Sequence, residues 1–93
     1  MDKTEALKVA AIELDKFKVK SYEELKDIID FSESKEHELE NGKYYQTQVQ
    51  IFWNDSREKT DVRVHCAVDD GGWRTFFPLV EAFIMSPNGE VDD

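Results

Sequence analysis

Three side chains offer nitrogen or sulfur to a transition metal: His37, His65 and Cys66. His65 and Cys66 are neighbours in a stretch that reads as a strand, so they point to opposite faces and cannot share an ion. No zinc-type spacing is present. His65 has the ordinary pKa of a base that works near neutrality, but it stands alone on an exposed strand face, where a histidine is more often just polar. Asp69 and Asp70 are adjacent carboxylates of the kind used for acid–base work or for a hard cation. They open Asp69-Asp70-Gly71-Gly72, however, and in such a turn aspartate is a turn former. A nucleophilic triad around Ser21, Ser32 or Ser34 has no supporting context. The glycines sit in a hairpin rather than at the mouth of a helix, so they form no phosphate loop. The residues therefore predict no catalytic centre, no metal and no cofactor.

The elements that would position any site are easier to read. Residues 44–53 alternate strictly. Tyr45, Thr47, Val49, Ile51 and Trp53 are β-branched or aromatic, and Gln46, Gln48 and Gln50 lie between them. Period two predicts a half-buried antiparallel strand with one apolar and one polar face. Residues 60–69 repeat the pattern, with Val62, Val64, Cys66 and Val68 on one face. The glycine turn that follows predicts a hairpin to a strand over 73–77: with Asp70-Gly71 as the loop, Val68 faces Trp73, Cys66 faces Thr75 and Val64 faces Phe77, and a Gly71-Gly72 loop shifts the register by two with the same parity. A bend at Pro78-Leu79, a further extended piece at 81–85, a turn at 86–89 and a frayed tail over 86–93 complete the expectation.

Upstream, Asp2 with Glu5 and Ser21 with Glu24 are capping-box pairs. The first opens a helix over about 3–17, with Leu7, Ala10, Ala11, Leu14 and Phe17 inward, broadened by Val9 and Ile12. Lys8, Glu13, Asp15 and Lys16 fall on its polar side. The second opens a short helix with Tyr22, Leu25, Ile28 and Ile29 inward and Phe31 packed beyond its end. Ser32 to Lys35 read as loop. Asn41-Gly42 then marks a hairpin between residues 36–40 and 44–53. A two-residue loop would set Glu36 and Glu38 on the apolar face. A three-residue loop with Gly42 in a bulge pairs His37 with Tyr45 and Leu39 with Lys43, and turns the glutamates outward. The fold class expected is α+β: two N-terminal helices (about 3–31) on one face of a curved four-stranded antiparallel meander (about 36–85), α-α-β-β-β-β, in one domain over 1–93.

Two surfaces of that fold are candidates for function. The polar sheet face carries Tyr44, Gln46, Gln48, Gln50, Phe52, Arg63, His65, Arg74 and Phe76, a mixture that suits a protein interface; a solvated face with scattered aromatics is the competing reading. The second surface is a small-molecule-binding or enzymatic pocket between the helices and the concave sheet, lined by His37, Tyr45, Trp53 and Trp73. A full core with an exposed aromatic patch favours the first, and an internal cavity with convergent polar groups the second.

Twelve basic and twenty-one acidic residues give a net charge of −9, and residues 36–93 hold five basic against twelve acidic ones. That balance argues against nucleic-acid and anionic-membrane partners. It leaves a third reading, an acidic mimic of nucleic acid built on Glu36, Glu38, Glu40, Asp61 and Asp69, which the lysines scattered through the helices oppose. A single cysteine excludes an internal disulfide, and Cys66 reads as a buried, inert thiol. With no apolar leader or span, a cytoplasmic location is expected.

The run Asp69-Asp70-Gly71-Gly72-Trp73-Arg74-Thr75-Phe76-Phe77-Pro78-Leu79, followed by Phe83-Ile84-Met85-Ser86-Pro87-Asn88-Gly89, resembles small bacterial proteins of unknown function. The resemblance covers the last third of the chain and implies no activity. In shape alone, helices followed by a curved antiparallel sheet are similar to cystatin-like and NTF2-like folds, some of which enclose ligands. The residues thus predict an interaction module, with a second copy or another protein as partner.

Overall fold

Asp2 starts the first helix by accepting hydrogen bonds from the backbone N–H groups of Thr4 (2.9 Å) and Glu5 (3.2 Å), two donors that lack a partner within the helix. The computed structural model describes residues 2–71 and 78–93. Helix α1 runs Lys3–Lys18 and helix α2 runs Tyr22–Asp27. At α2 the capping box is complete: Ser21 Oγ accepts from Glu24 N at 3.1 Å, and Glu24 Oε1 accepts from Ser21 N at 3.0 Å. Glu5 closes no such box on Asp2. Its carboxylate is taken by the first hairpin, as described below.

Among the described residues five strands follow: β1 Ser32–Glu38, β2 Tyr44–Trp53, β3 Val62–Asp69, β4 Leu79–Met85 and β5 Val91–Asp92. They form one antiparallel sheet in the order β1-β2-β3-β4-β5. The class is α+β as expected, with five strands where four were predicted. Val91–Asp92, assigned to a frayed tail, pairs with the end of β4, and the Asp93 carboxylate lies 3.1 Å from Lys18 Nζ.

The first hairpin has the three-residue register. His37 pairs with Tyr45, Leu39 N donates to Lys43 O at 2.8 Å, and Gly42 has φ +83°, the left-handed region that a side chain disfavours. The strand is longer at its start than expected, because residues 32–35, read as loop, already pair with residues 47–50 of β2.

The second hairpin corrects the sequence reading. Beside β3 lies Leu79–Met85, so Val68 pairs with Leu79, Cys66 with Glu81 and Val64 with Phe83, not with Trp73, Thr75 and Phe77. The expected strand over 73–77 lies outside the described residues. Both segments carry apolar residues at the parity β3 demands, so alternation alone does not separate them. Leu79 is no bend: it opens β4 directly after Pro78, whose missing N–H is harmless just outside a strand.

One buried cluster joins the layers. Ala6, Val9, Ala10, Leu14 and Phe17 of α1 and Leu25 of α2 meet Tyr45, Val49 and Ile51 of β2, Val62, Val64, Cys66 and Val68 of β3, and Phe83 and Met85 of β4. α1 lies over β2, β3 and β4. Burying each Val- or Ile-sized side chain here contributes about 1.5–3 kcal/mol. Phe31 packs just past α2, its ring centroid 5.8 Å from that of Phe17, as expected. The helix is rotated from the predicted stripe, however. Leu7 and Ile12 are exposed, and Glu13, assigned to the polar side, is buried with 1% of its surface accessible.

Candidate functional site

Two features of the fold concentrate polar side chains: the sheet face turned away from α1, and the flank where α1 meets β1.

On the outer face, pairing lines residues up in rows across the strands. Glu36, Gln46 and Asp69 form one row, Ser34, Gln48, Ala67 and Val80 the next, and Ser32, Gln50, His65 and Ala82 the next. Phe52, Arg63 and Ile84 follow. Gln46, Gln48 and Gln50 are exposed, and Tyr44 keeps 56% of its surface. Gln48 Nε2 reaches Ser32 Oγ at 3.4 Å, a weak cross-strand bond. A hollow of about 510 Å³ opens on this face, lined in part by Ser34, Glu36, Gln46, Gln48, Asp69 and Pro78. The two middle rows hold one titratable side chain, His65, and carboxylates mark one end.

His65 is not the freely exposed polar residue expected. Its ring meets Phe52 edge-on at 5.9 Å, and its Nε2 is out of solvent contact with no hydrogen-bond partner among the described residues. Burial, helped by the Arg63 charge, lowers its pKa, so the ring stays neutral at pH 7. Of the nine residues assigned to this face, Tyr44, Gln46, Gln48, Gln50, Phe52, Arg63 and His65 lie there together; Arg74 and Phe76 fall outside the described residues.

The flank holds what sequence reasoning missed. The Glu13 carboxylate sits 2.8 Å from Lys16 Nζ, 3.2 Å from His37 Nε2 and 3.7 Å from Lys35 Nζ. Desolvation works to raise its pKa, but the Lys16 hydrogen bond and the charges of Lys16, Lys35 and His37 outweigh it, and the carboxyl is held below the usual range. Thr47 Oγ1 also lies 3.4 Å from His37 Nε2. Both oxygens therefore address the same ring nitrogen. A relay needs acid and nucleophile on opposite nitrogens, so this trio ties β1 to α1 and does not activate a hydroxyl.

A second tie lies nearer the N-terminus of α1. Glu5 accepts from Tyr45 Oη (3.0 Å), Asn41 Nδ2 (2.8 Å) and Lys43 Nζ (3.3 Å), fastening the first hairpin to the helix. Desolvation opposes these bonds, yet they prevail and lower the Glu5 pKa. Tyr45 is pushed the other way, first by burial and then by the Glu5 carboxylate. The residues assigned to the alternative pocket do not converge. His37 and Tyr45 are cross-strand partners, whereas Trp53 lies eight residues further along β2, about 26 Å away. Trp73 is outside the described residues.

Asp69 acts as a turn former, its Oδ1 accepting from Gly71 N at 2.9 Å. Cys66 is fully buried, and burial, with the nearby Glu13 charge, pushes its thiol up to about 11. Ser21 is spent as a helix cap, and Ser32 and Ser34 lie on the face opposite His37. No group of three His, Cys, Asp or Glu side chains among the described residues is arranged to hold a metal ion. Among those residues no helix is long and apolar enough to cross a membrane. Compared with known proteins, the chain matches no family model, no curated protein and no solved structure.

Proposed function

We propose that this chain is a non-enzymatic interaction module that receives a protein partner on the outer face of its sheet. The observation that carries the reading is the contrast between the two sides of β2. Its inward residues Tyr45, Thr47, Val49 and Ile51 are buried, while its outward residues Tyr44, Gln46, Gln48 and Gln50 are all exposed. Glutamine and tyrosine side chains bind by hydrogen bonding and flat apolar contact, without the desolvation cost of a charge. The acid-rich flank around Glu36 and Asp69 favours a partner with basic groups at the matching edge.

The test is affinity capture from cell extract with three baits: wild type, Gln48→Lys/Gln50→Lys on the outer face, and Ile12→Lys on the exposed back of α1. The captured protein is then identified, purified and titrated against each bait. Binding retained by Ile12→Lys and lost by the outer-face variant is the expected result. Equal binding by both variants, or loss with Ile12→Lys alone, would sink the reading.

A further inference from the structure

β1 is an outermost strand of the sheet, and its pairing leaves half of its backbone groups aimed outward. Leu39 N donates to Lys43 O, and Ile51 N donates to Phe31 O at 3.1 Å, so the odd-numbered residues of this segment bond to β2. Antiparallel ladders alternate. The N–H and C=O groups of Ser32, Ser34, Glu36 and Glu38 therefore point away from the sheet, and no described residue pairs with them. Seven residues without proline or bulge form a ready template for another strand.

The side chains choose the occupant. From this geometry we infer that the chain forms a two-fold dimer by antiparallel pairing of β1 with β1 of a second copy, centred on Ser34. In that register Ser34 faces its own counterpart and Ser32 faces Glu36, both as hydrogen-bonded pairs. Glu33 of each copy then faces Lys35 of the other at the closer, non-hydrogen-bonded positions. Centring on Glu33 or on Lys35 would oppose like charges, and centring on Glu36 would oppose two glutamates and set Lys35 against His37. Within one chain Glu33 and Lys35 already lie 3.1 Å apart, each with 41% of its side chain accessible, so both are placed to pair across the seam. α1 sits over β2, β3 and β4, which leaves room for two helices on the same side of the joined sheet. The outer faces of the two copies become one surface. This inference uses the edge of the sheet and stands apart from the outer-face reading.

Sedimentation equilibrium over a concentration series reaching the millimolar range tests it. A reversible monomer–dimer equilibrium is expected for wild type. Glu33→Lys should weaken it roughly tenfold by placing lysines opposite each other. Ser34→Pro should abolish it while leaving the fold intact by circular dichroism, because the N–H it removes serves no bond within the chain. The register has its own readout. Under mild oxidation Ser34→Cys should form a covalent dimer, since hydrogen-bonded pairs have Cα atoms about 5.5 Å apart. Ser32→Cys and Glu36→Cys should each fail alone and cross-link when mixed. A wild-type chain that stays monomeric throughout, or a dimer untouched by Ser34→Pro, overturns the proposal.

Discussion

Glu13 of α1 and His37 of β1 meet side chain to side chain, Oε2 to Nε2, at 3.2 Å. The contact joins the outermost strand to a helix that lies chiefly over the strands beyond it. A carboxylate with 1% accessibility is costly to bury, and here its cost is offset by three nitrogen partners gathered from two elements. Removing the acid leaves partners that still reach water, whereas removing the cations strands a charge in the core.

Glu13→Gln is accordingly expected to lower unfolding free energy at pH 7 by about 1–3 kcal/mol, measured by urea titration. A variant as stable as wild type would mean that the cluster offers nothing beyond compensating its own burial.

Stability should also fall in two steps on acidification. His65 has a folded pKa below its ordinary 6.5, so the unfolded chain takes up its proton first, and stability is lost as pH drops from about 6.5 toward the folded value. Glu13 has a folded pKa below 4.5; its contribution is complete above that value and is lost as pH falls through the folded one. His65→Gln should flatten the first step and Glu13→Gln the second. An unchanged pH profile in either variant contradicts the corresponding assignment.

Gly42 offers a purely conformational test. A Cβ added there would meet nothing within 4 Å, so only the backbone at φ +83° resists a side chain. Gly42→Ala should cost about 1–2 kcal/mol, and Gly42→Asn clearly less, in thermal unfolding. Equal losses would point to a contact rather than to backbone strain.

Cys66 should report opening of the sheet. With its thiol buried and pushed up to about 11, alkylation of native protein at pH 8 should be far slower than that of denatured protein. Rapid labelling of the native state would show that β3 is reached from solvent.

Much of this arrangement is legible from residue order. The alternation over 44–53 and the parity conflict of Glu36 and Glu38 are enough to set the first hairpin, because a one-residue slip would turn acids into the core. The start of β1 is not legible, since Glu33 and Lys35 face inward and break the apolar pattern; the carboxylate of Glu13 satisfies Lys35 from a distant segment. Glu13 was hidden for the same reason. Two stripes overlap on α1, one through Leu7 and Ala11 and one through Ala6, Val9 and Glu13, and hydropathy prefers the first. Cations supplied by β1 decide for the second. On the outer face, seven of the nine assigned residues could be read from parity, but the shielding of His65 depends on its cross-strand neighbours.

The strands occupy the sheet in the order in which the chain makes them. Each strand pairs with its neighbour in sequence, so no strand waits for a distant partner and little loop entropy has to be overcome. The long-range step is the return of α1 to β2, β3 and β4, strands that the chain makes well after it. Docking of the first helix, rather than assembly of the sheet, is then the step expected to limit the folding rate. Core substitutions in Ala10 or Leu14 should accordingly act on the folding rate as well as on the unfolding rate.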